Sequence, residues 1–309
     1  METVYIIVTA LLLDITFGEP PNAVHPVAWL GKLIGFEMKL SPAGGHAWQF
    51  VYGALCVFVT VGAAALLTFW LVAYLRTLSP WLYVPVSGIL LKLTFSLRGL
   101  LRAARRVRRL LQAGRLVEAR RSLGALVSRD TASLDSGQVA AAAVESVAEN
   151  TSDSFIAPLF YFGIFGLPGA VAYRVINTFD AMIGYRGRWE YSGKFAARLD
   201  DVANLIPARL SALLILIATV FCRRDAGGAW RILARDHAKT ESPNAGWPMS
   251  AMAGALGVRL EKAGHYRLGD GLRKPEPPAI DRAVKLAGAT AGLWSVVLIA
   301  GEVVKFVIA

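Results

Sequence analysis

Long apolar stretches alternate along this chain with short polar and strongly basic segments. Residues 51–74 carry no charged side chain, and a helix of that length, at about 1.5 Å per residue, can cross the hydrocarbon core of a bilayer. They predict a transmembrane helix. Three further blocks favour spans although each contains or borders charged residues: 81–97, 205–222 and 286–308. Residues 4–17 form a shorter block containing Asp14, which could span only with support or lie in the interface.

The block at residues 155–173 is uncharged but broken by prolines and glycines: Pro158, Gly163, Gly166, Pro168 and Gly169. A smooth helix is disfavoured there, because proline removes a backbone donor and clashes with the preceding turn. The pattern leaves two interpretations open, one kinked span or two half-helices that enter and return. Irregular backbone at membrane depth has to be covered by protein or line a water-filled cavity.

A basic segment at residues 98–129 contains ten arginines and one acidic residue, Glu118. Leu100, Ala104, Val107 and Leu111 recur at helical spacing, which predicts an amphipathic helix, with another after Gly114. The charge places this segment on the cytoplasmic side. The segments near 186–198 and 223–239 are also basic, and both can be cytoplasmic only if block 205–222 is re-entrant. Otherwise the charge rule fails for one of them.

The overall composition agrees with a membrane protein. The chain has 309 residues, 55% of them apolar, a mean hydropathy of +0.48 and a net charge of +11. The basic residues follow apolar blocks, as in cytoplasmic loops, and we therefore expect no nucleic-acid partner. Cys56 and Cys222 lie inside apolar blocks without a Cys-x-x-Cys pattern, which argues against a thiolate metal site.

These patterns predict an all-α integral membrane protein, a polytopic helical bundle of about four to six spans with amphipathic cytoplasmic helices. We expect one membrane-embedded domain over residues 1–309, with a polar loop region at 223–283. The N-terminus lacks the basic start of a signal peptide, because Glu2 stands where lysine or arginine is expected.

Clusters of polar residues beside the apolar blocks are the candidate chemistry, since charges at membrane depth are costly and indicate function. The first cluster comprises Asp14, Glu19, Asn22 and His25 around a proline-rich turn, which could bind a metal or simply end a helix. In the second, Glu145, Glu149 and Asp153 would form one acidic stripe on a helix. Like charges at that spacing repel, and bound Mg²⁺ would offset the repulsion.

The remaining clusters lie further along the chain. Two of them flank the segment at 186–198 and comprise Arg174, Asn177, Asp180, Tyr185 and Arg186, then Asp200, Asp201, Asn204 and Arg209. Adjacent carboxylates followed by an amide suit Mg²⁺ or a metal bound to ATP. The last comprises His237, Ser242, Asn244 and Trp247 before a short helix at 250–256, whose N–H groups could hold a phosphate. No P-loop, dinucleotide-binding, zincin or nucleophile-elbow pattern occurs.

Read in order, these clusters resemble the adenosylcobinamide-phosphate synthase family, the cobalamin biosynthesis proteins CbiB/CobD. The resemblance runs from about residue 11 to about residue 270 and rests on many short segments in order. The main ones are Gly-Glu-Pro at 18–20, His-Pro-Val at 25–27, Ala-Ala-Val-Glu-Ser-Val-Ala-Glu-Asn at 142–150, Asn-Thr-Phe-Asp-Ala-Met at 177–182, Ala-Arg-Leu-Asp-Asp-Val-Ala-Asn at 197–204 and Ser-Pro-Asn-Ala-Gly-Trp at 242–247.

The resemblance implies an amide-forming ligase of vitamin B12 biosynthesis. It would join adenosylcobyric acid, a corrinoid, to aminopropanol phosphate or aminopropanol with ATP and Mg²⁺, giving adenosylcobinamide phosphate. We expect a multi-pass protein of the cytoplasmic membrane, in contact with the lipid bilayer, either as a homo-oligomer or in a complex with other corrinoid-pathway enzymes.

Roles for the candidate residues follow as expectations of this resemblance. The metal ligands are expected to be Glu145, Glu149, Asp153, Asp200 and Asp201. The catalytic residues are expected to be Asp14, Glu19, His25, Arg174, Asp180, Arg186 and Arg209, with arginines facing phosphate or carboxylate and His25 or Asp14 accepting a proton. Substrate or ATP would be bound by Asn22, Asn150, Asn177, Tyr185, Asn204, His237, Ser242, Asn244 and Trp247.

Two other functional classes fit parts of the pattern. Broken helices carrying buried Asp, Asn and Arg are typical of transporters, which here would carry a corrinoid or another anionic solute. Such carriers usually have two related halves, and no internal repeat is visible in this sequence. A non-catalytic scaffold that docks corrinoid enzymes through the basic helices is the other alternative.

Overall fold

The computed structural model describes residues 1–185 and 187–308, and the chain is almost entirely helical. The elements in chain order are α1 (Glu2–Thr16), α2 (Pro26–Lys39), α3 (His46–Leu78), α4 (Pro80–Lys92), α5 (Leu97–Gln112), α6 (Leu116–Leu123), α7 (Ser136–Thr151), a π-helical turn (Ser152–Ile156), α8 (Ala157–Ile183), α9 (Glu190–Ala203), α10 (Leu205–Phe221), α11 (Ala226–Asp236), α12 (Gly246–Leu256), β1 (Leu260–Lys262), β2 (Tyr266–Leu268) and α13 (Pro277–Ile308).

Capping residues set where several helices begin. The His25 imidazole accepts a hydrogen bond from the Val27 N–H at 3.1 Å, and the Ser79 hydroxyl accepts one from the Trp81 N–H at 3.2 Å. Each is followed by a proline in the first turn, where the missing N–H costs nothing. Asp135 begins α7 with a reciprocal capping box.

Four helices among the described residues are long and apolar enough to cross a membrane: His46–Leu78, Pro80–Gln112, Ser136–Ile183 and Pro277–Ile308. A fifth is added if the bent pair α9 and α10 counts as one span. The prediction of an all-α polytopic membrane protein is confirmed. The block at residues 4–17 forms α1, which at 15 residues is shorter than a full span. Helix α10 is a candidate span only as part of a bent pair with α9. Whether the basic segments on both sides of it are cytoplasmic stays open.

The described residues divide into two compact units. The first comprises Met1–Ser96, Ala157–Asn204 and Leu298–Ala309, and the second comprises Leu97–Ile156 and Leu205–Val297. We describe each unit by itself. The prediction of one membrane-embedded domain over residues 1–309 stays a prediction.

Close helix packing in the first unit depends on glycines. A Cβ on Gly53 of α3 would lie 1.9 Å from the Ser192 carbonyl oxygen, and one on Gly193 of α9 would lie 1.7 Å from that of Ile183. Any side chain at these positions would push the helices apart. The buried core beside them includes Ile34, Val57 and Phe179.

The break predicted in the apolar block at 155–173 is confirmed and lies at Gly166 of α8. Its φ of 66° and ψ of −159° are non-helical, in a region that side-chain-bearing residues rarely adopt, and Pro168 follows. The amino group of Lys305 donates to the Gly163 carbonyl at 3.0 Å, so a side chain from α13 satisfies backbone next to the kink. The Tyr161 and Tyr173 rings stack with their centroids 5.2 Å apart, whereas a straight helix would separate these two positions by about 18 Å. The chain therefore folds back at the break, as in two half-helices.

The second unit buries the helix face that the arginine-rich sequence predicted. Leu100, Ala104, Val107 and Leu111 are the buried residues of α5, and α6 follows Gly114 as expected. Ala104, Val107 and Leu111 pack into a core shared with the apolar faces of α7, α12 and α13. The expectation of a polar loop at 223–283 is corrected, because α11, α12 and a β1–β2 hairpin fill most of that region. Small apolar residues such as Ala251 and Ala253 make α12 fully buried.

Asp236, at the end of α11, is completely buried and ties this helix to the segment after β2. Its carboxylate accepts from Arg235 at 2.7 Å, from Lys239 at 2.6 Å and from the Gly269 N–H at 2.6 Å. Burial alone would raise the pKa of Asp236, but these hydrogen bonds outweigh it and lower the pKa to about 2. A carboxylate with a lowered pKa stabilises the fold above its unfolded pKa.

We therefore expect Asp236→Asn to lower the thermal unfolding midpoint at about neutral pH. The difference from wild type should shrink as the pH falls from about 4 to about 2, because protonation then removes the same interactions from wild type. Thermal unfolding in detergent at a series of pH values measures this difference, with the neighbouring exposed Asp270→Asn as control. A difference that does not change with pH would contradict the expectation.

Candidate functional site

A buried carboxylate at the end of α9 organises the polar network of the first unit. Asp200 is 9% exposed, and its two oxygens accept from the side-chain amides of Asn177 at 3.3 Å and Asn204 at 2.9 Å. The Tyr173 hydroxyl donates to the side-chain oxygen of Asn204 at 2.8 Å, which orients that amide. Asn177 lies on α8, Asp200 lies in the last turn of α9, and Asn204 directly follows that helix.

Two more carboxylates lie within electrostatic reach of Asp200. Asp180 and Asp201 both act on it as like charges, and no described lysine or arginine forms an ion pair with Asp180 or Asp200. Like charges close to a buried carboxylate add to the cost of burying it. A cluster with this cost is typical of a site that binds a cation. Arg174, on the same helix as Asn177, is half-buried, Tyr185 is exposed, and Arg186 lies outside the described residues.

These residues fit a magnesium ion that arrives with its nucleotide. No group of three or more His, Cys, Asp or Glu side chains within residues 1–185 and 187–308 has the arrangement of a complete metal site. Mg²⁺ bound to a nucleotide needs only one or two carboxylates, with phosphates and water supplying its other ligands. Asp200, with Asp180 and Asp201 in electrostatic reach, supplies carboxylates of that kind.

A second cluster of the first unit joins the predicted turn residues to Lys92 in the apolar block at 81–97. Lys92 is 4% exposed, and its amino group lies 3.3 Å from Asp14 and 2.7 Å from Glu19. The second Glu19 oxygen contacts the His25 ring nitrogen at 2.7 Å. Burial would raise the pKa of Glu19, but hydrogen bonds from Lys92, Ser96 and His25 lower it. A lone lysine inside an apolar block was the available signal.

In the same turn Asn22 is exposed, and its side chain takes no part in the contacts of this cluster. The turn therefore brings together Asp14, Glu19 and His25 from the first predicted cluster. His25 is held in place twice, because one ring nitrogen caps α2 and the other contacts Glu19. Such positioning suits a residue that accepts a proton.

The second unit engages Glu145 differently from the prediction. Glu145 is 4% exposed and pairs with Arg129 at 2.7 Å. Burial and the charges of Glu145 and Glu149 raise the pKa of the nearby Tyr266 hydroxyl. Asp153 lies in the π-helical turn that interrupts the helix from residue 152 onward. The regular stripe assumed for Glu145, Glu149 and Asp153 therefore ends before its last member, while the amide of Asn150 donates to Ser146 and accepts from Ser154.

The last predicted cluster converges around Arg209 of α10. Its guanidinium donates to the Asn244 side-chain oxygen at 2.8 Å and lies 4.7 Å from the centroid of the Trp247 ring. The His237 ring packs against the Trp247 ring, with their centroids 4.3 Å apart. The Ser242 hydroxyl accepts from the Asn244 N–H at 3.2 Å and so orders the turn. A fixed, stacked guanidinium is suited to bind phosphate or carboxylate.

Comparison with known proteins shows to which family the chain belongs. A family model described as CobD/Cbib protein matches residues 7–287. The chain belongs to the CobD/Cbib family. The cobalamin biosynthesis protein CobD of Dehalococcoides mccartyi is 50% identical over 306 residues, which cover 99% of each chain. The probable cobalamin biosynthesis protein CobD of Methanothermobacter thermautotrophicus is 40% identical over 296 residues, 96% of each chain.

Membership in the CobD/Cbib family supports a role in cobalamin biosynthesis and confirms the resemblance drawn from the motifs. The Klebsiella pneumoniae cobalamin biosynthesis protein CobD extends the comparison, at 38% identity over 92% of each chain. No solved structure matches this chain. The roles of individual CobD/Cbib residues therefore have to be argued from the contacts described above.

Proposed function

We propose that this protein is a carbon–nitrogen ligase of the cytoplasmic membrane. It condenses adenosylcobyric acid with aminopropanol phosphate, or with aminopropanol, to give adenosylcobinamide phosphate (or, from the free amine, adenosylcobinamide) at the expense of ATP. The observation that best supports this proposal is the buried Asp200. It forms no ion pair with any described residue, and two further carboxylates lie within its electrostatic reach. In a family of cobalamin biosynthesis, that charge pattern favours ATP-dependent chemistry over passive binding.

The proposed reaction has two steps. An oxygen of the corrinoid carboxylate attacks the γ-phosphorus of ATP, the bond to the β-phosphate breaks, and ADP leaves with the electron pair. The amine nitrogen then attacks the acyl carbon, inorganic phosphate leaves, and one proton departs from nitrogen. Bound Mg²⁺ would neutralise phosphate charge. Asp200 and Asp201 would hold it, and Asn177 and Asn204 fix the orientation of Asp200 by hydrogen bonds.

His25 is the proposed proton acceptor. Its contact with Glu19 and its role as the α2 cap fix the ring, and Glu19 stabilises the imidazolium that forms. Asp14 is the weaker candidate because Lys92 pairs with it. Arg209, stacked on Trp247 and bonded to Asn244, would bind a phosphate or carboxylate of a substrate.

The direct test uses the purified full-length protein in detergent. Supplied with adenosylcobyric acid, aminopropanol phosphate, ATP and Mg²⁺, it should yield the condensed corrinoid, detected by its mass, together with ADP. Production of AMP would instead indicate an adenylate intermediate. Absence of product from folded protein would contradict the proposal and favour a corrinoid carrier or a scaffold that needs partner enzymes.

Arg209→Lys should raise the KM for a phosphate-bearing substrate by about tenfold with a smaller change in kcat. Lysine keeps the charge but cannot donate to Asn244 and stack on Trp247 at the same time. Steady-state kinetics with each substrate varied in turn measures the effect, and Arg198→Lys on the exposed side of α9 is the matched control. Unchanged KM values for all substrates would exclude Arg209 from binding.

A further inference from the structure

A cavity of about 490 Å³ opens in the second unit, where α10 ends and α11 begins. Four arginines line it, against two aspartates: Arg223, Arg224, Arg231 and Arg235 with Asp225 and Asp270. None of the residues assigned to the proposed reaction lines this cavity. Its volume is in the range of pockets that bind small molecules.

The acidic residues of the cavity are already engaged. Asp225 caps α11 by accepting from the Gly228 N–H at 2.7 Å and is 3.8 Å from Arg231. Asp270 faces Arg267 outside the cavity at 3.6 Å. Arg235 is paired in two places with Asp236. Arg223 and Arg224 form no ion pair with any described residue, so the cavity has a net positive charge.

Several arginines lie close together near the cavity at the start of α13. Arg282 is repelled electrostatically by both Arg273 and Arg224, and Glu276 is the acidic group that attracts it. The buried Nε of Arg282 has no hydrogen-bond partner among the described residues. Guanidinium groups held this close together are stabilised when an anion lies between them.

The cavity lies at the end of α10, an apolar helix that counts as a membrane span only together with α9. Val220 and Phe221, the last residues of α10, are 61% and 71% exposed, and Trp230 of α11 is 60% exposed. Exposed apolar residues followed by tryptophan and arginines are typical of the lipid headgroup level. A phosphate carried by a lipid would therefore meet these arginines directly.

We propose that this cavity binds the phosphate of an anionic phospholipid headgroup. Arg223 and Arg224 contact the phosphate, Arg231 closes the open side, and the acyl chains lie along the exposed end of α10. Basic residues after a span also serve as general cytoplasmic anchors. That role accounts for Arg223 and Arg224, but it does not account for a concave site completed by arginines of the next helix.

The test compares two variants that lose the same charge. Arg223→Gln with Arg224→Gln changes the cavity, and Arg105→Gln with Arg106→Gln changes an adjacent exposed pair on α5. Delipidated full-length protein is titrated with phosphatidylglycerol, with phosphatidylcholine and, separately, with inorganic phosphate. Native mass spectrometry counts bound lipid, and thermal unfolding reports stabilisation.

We expect wild type and the α5 variant to bind phosphatidylglycerol at least about tenfold more tightly than the cavity variant, with no such difference for phosphatidylcholine. Equal binding by all three proteins would overturn the proposal, because the attraction would then be general. Inorganic phosphate that stabilises wild type as well as phosphatidylglycerol does would also overturn it, because the ligand would then be a soluble anion. A folded cavity variant is verified by a thermal midpoint close to wild type without lipid.

Discussion

Asp200→Asn is expected to lower kcat of the condensation by at least about a hundredfold while leaving the protein as stable as wild type or more stable. The carboxylate is buried, accepts two amide hydrogen bonds and is repelled by Asp180 and Asp201. Removing its charge relieves that repulsion and leaves a side chain of the same shape. Asn204 can still donate to the remaining oxygen, and the Asn177 amide can turn to accept from the new N–H group. The loss of activity would follow from losing a ligand for the metal–nucleotide complex.

Two measurements separate this role from a structural one. Turnover is followed by product mass with saturating substrates, and thermal unfolding is followed in the same detergent. Glu190→Gln makes the same charge change at the exposed start of α9 and should leave both unchanged. A rise in the Mg²⁺ concentration needed for half-maximal turnover in any residual activity would add support. Activity within about tenfold of wild type would remove Asp200 from the proposed mechanism.

Lys92→Met is expected to destabilise the protein by about 3–5 kcal/mol, the cost of leaving a buried ion pair without one partner. Lys92 is the cation that both Asp14 and Glu19 contact, and its side chain is almost completely buried. Methionine fills similar space but leaves two carboxylates facing each other in a poorly solvated site. The thermal midpoint of the purified variant should fall well below that of wild type.

A charge-removing rescue distinguishes electrostatics from packing. Combining Lys92→Met with Asp14→Asn and Glu19→Gln should restore most of the lost stability, because no uncompensated charge then remains. Activity should stay low in the rescued protein if Glu19 orients His25 as proposed. Failure of the triple variant to regain stability would show that Lys92 acts through its packing instead.

The secondary structure was largely readable from local pattern. The uncharged block at 51–74 lies inside α3, the apolar positions of the arginine-rich segment are the buried positions of α5, and Gly166 breaks α8 where the prolines and glycines predicted. Each of these depends on hydrophobic periodicity or backbone chemistry, which act over a few neighbouring residues. The region 223–283 was underestimated because its helices are short and rich in glycine and alanine.

The candidate site could be predicted only in part, because local patterns act over a few neighbouring residues. Types and spacing singled out Asp200, Asn204, Arg209 and His25, and the fold brings each of them to a polar partner. Other partners come from more distant positions, as Lys92 does for Glu19 and Arg129 does for Glu145. No local pattern predicts such a pair, because the two members are brought together by packing.

The sequence by itself therefore determined the class of the protein: its helical membrane character, its family and the residue types that we propose carry its chemistry. These depend on composition, periodicity and short motifs that survive in the linear order of residues. The tertiary structure alone decided which charges are neutralised and which are left over. Among the described residues, Glu145 pairs with Arg129 while Asp200 forms no ion pair, and Arg223 and Arg224 line a cavity without an acidic partner. The balance of charge at a buried position depends on neighbours that only folding brings within reach.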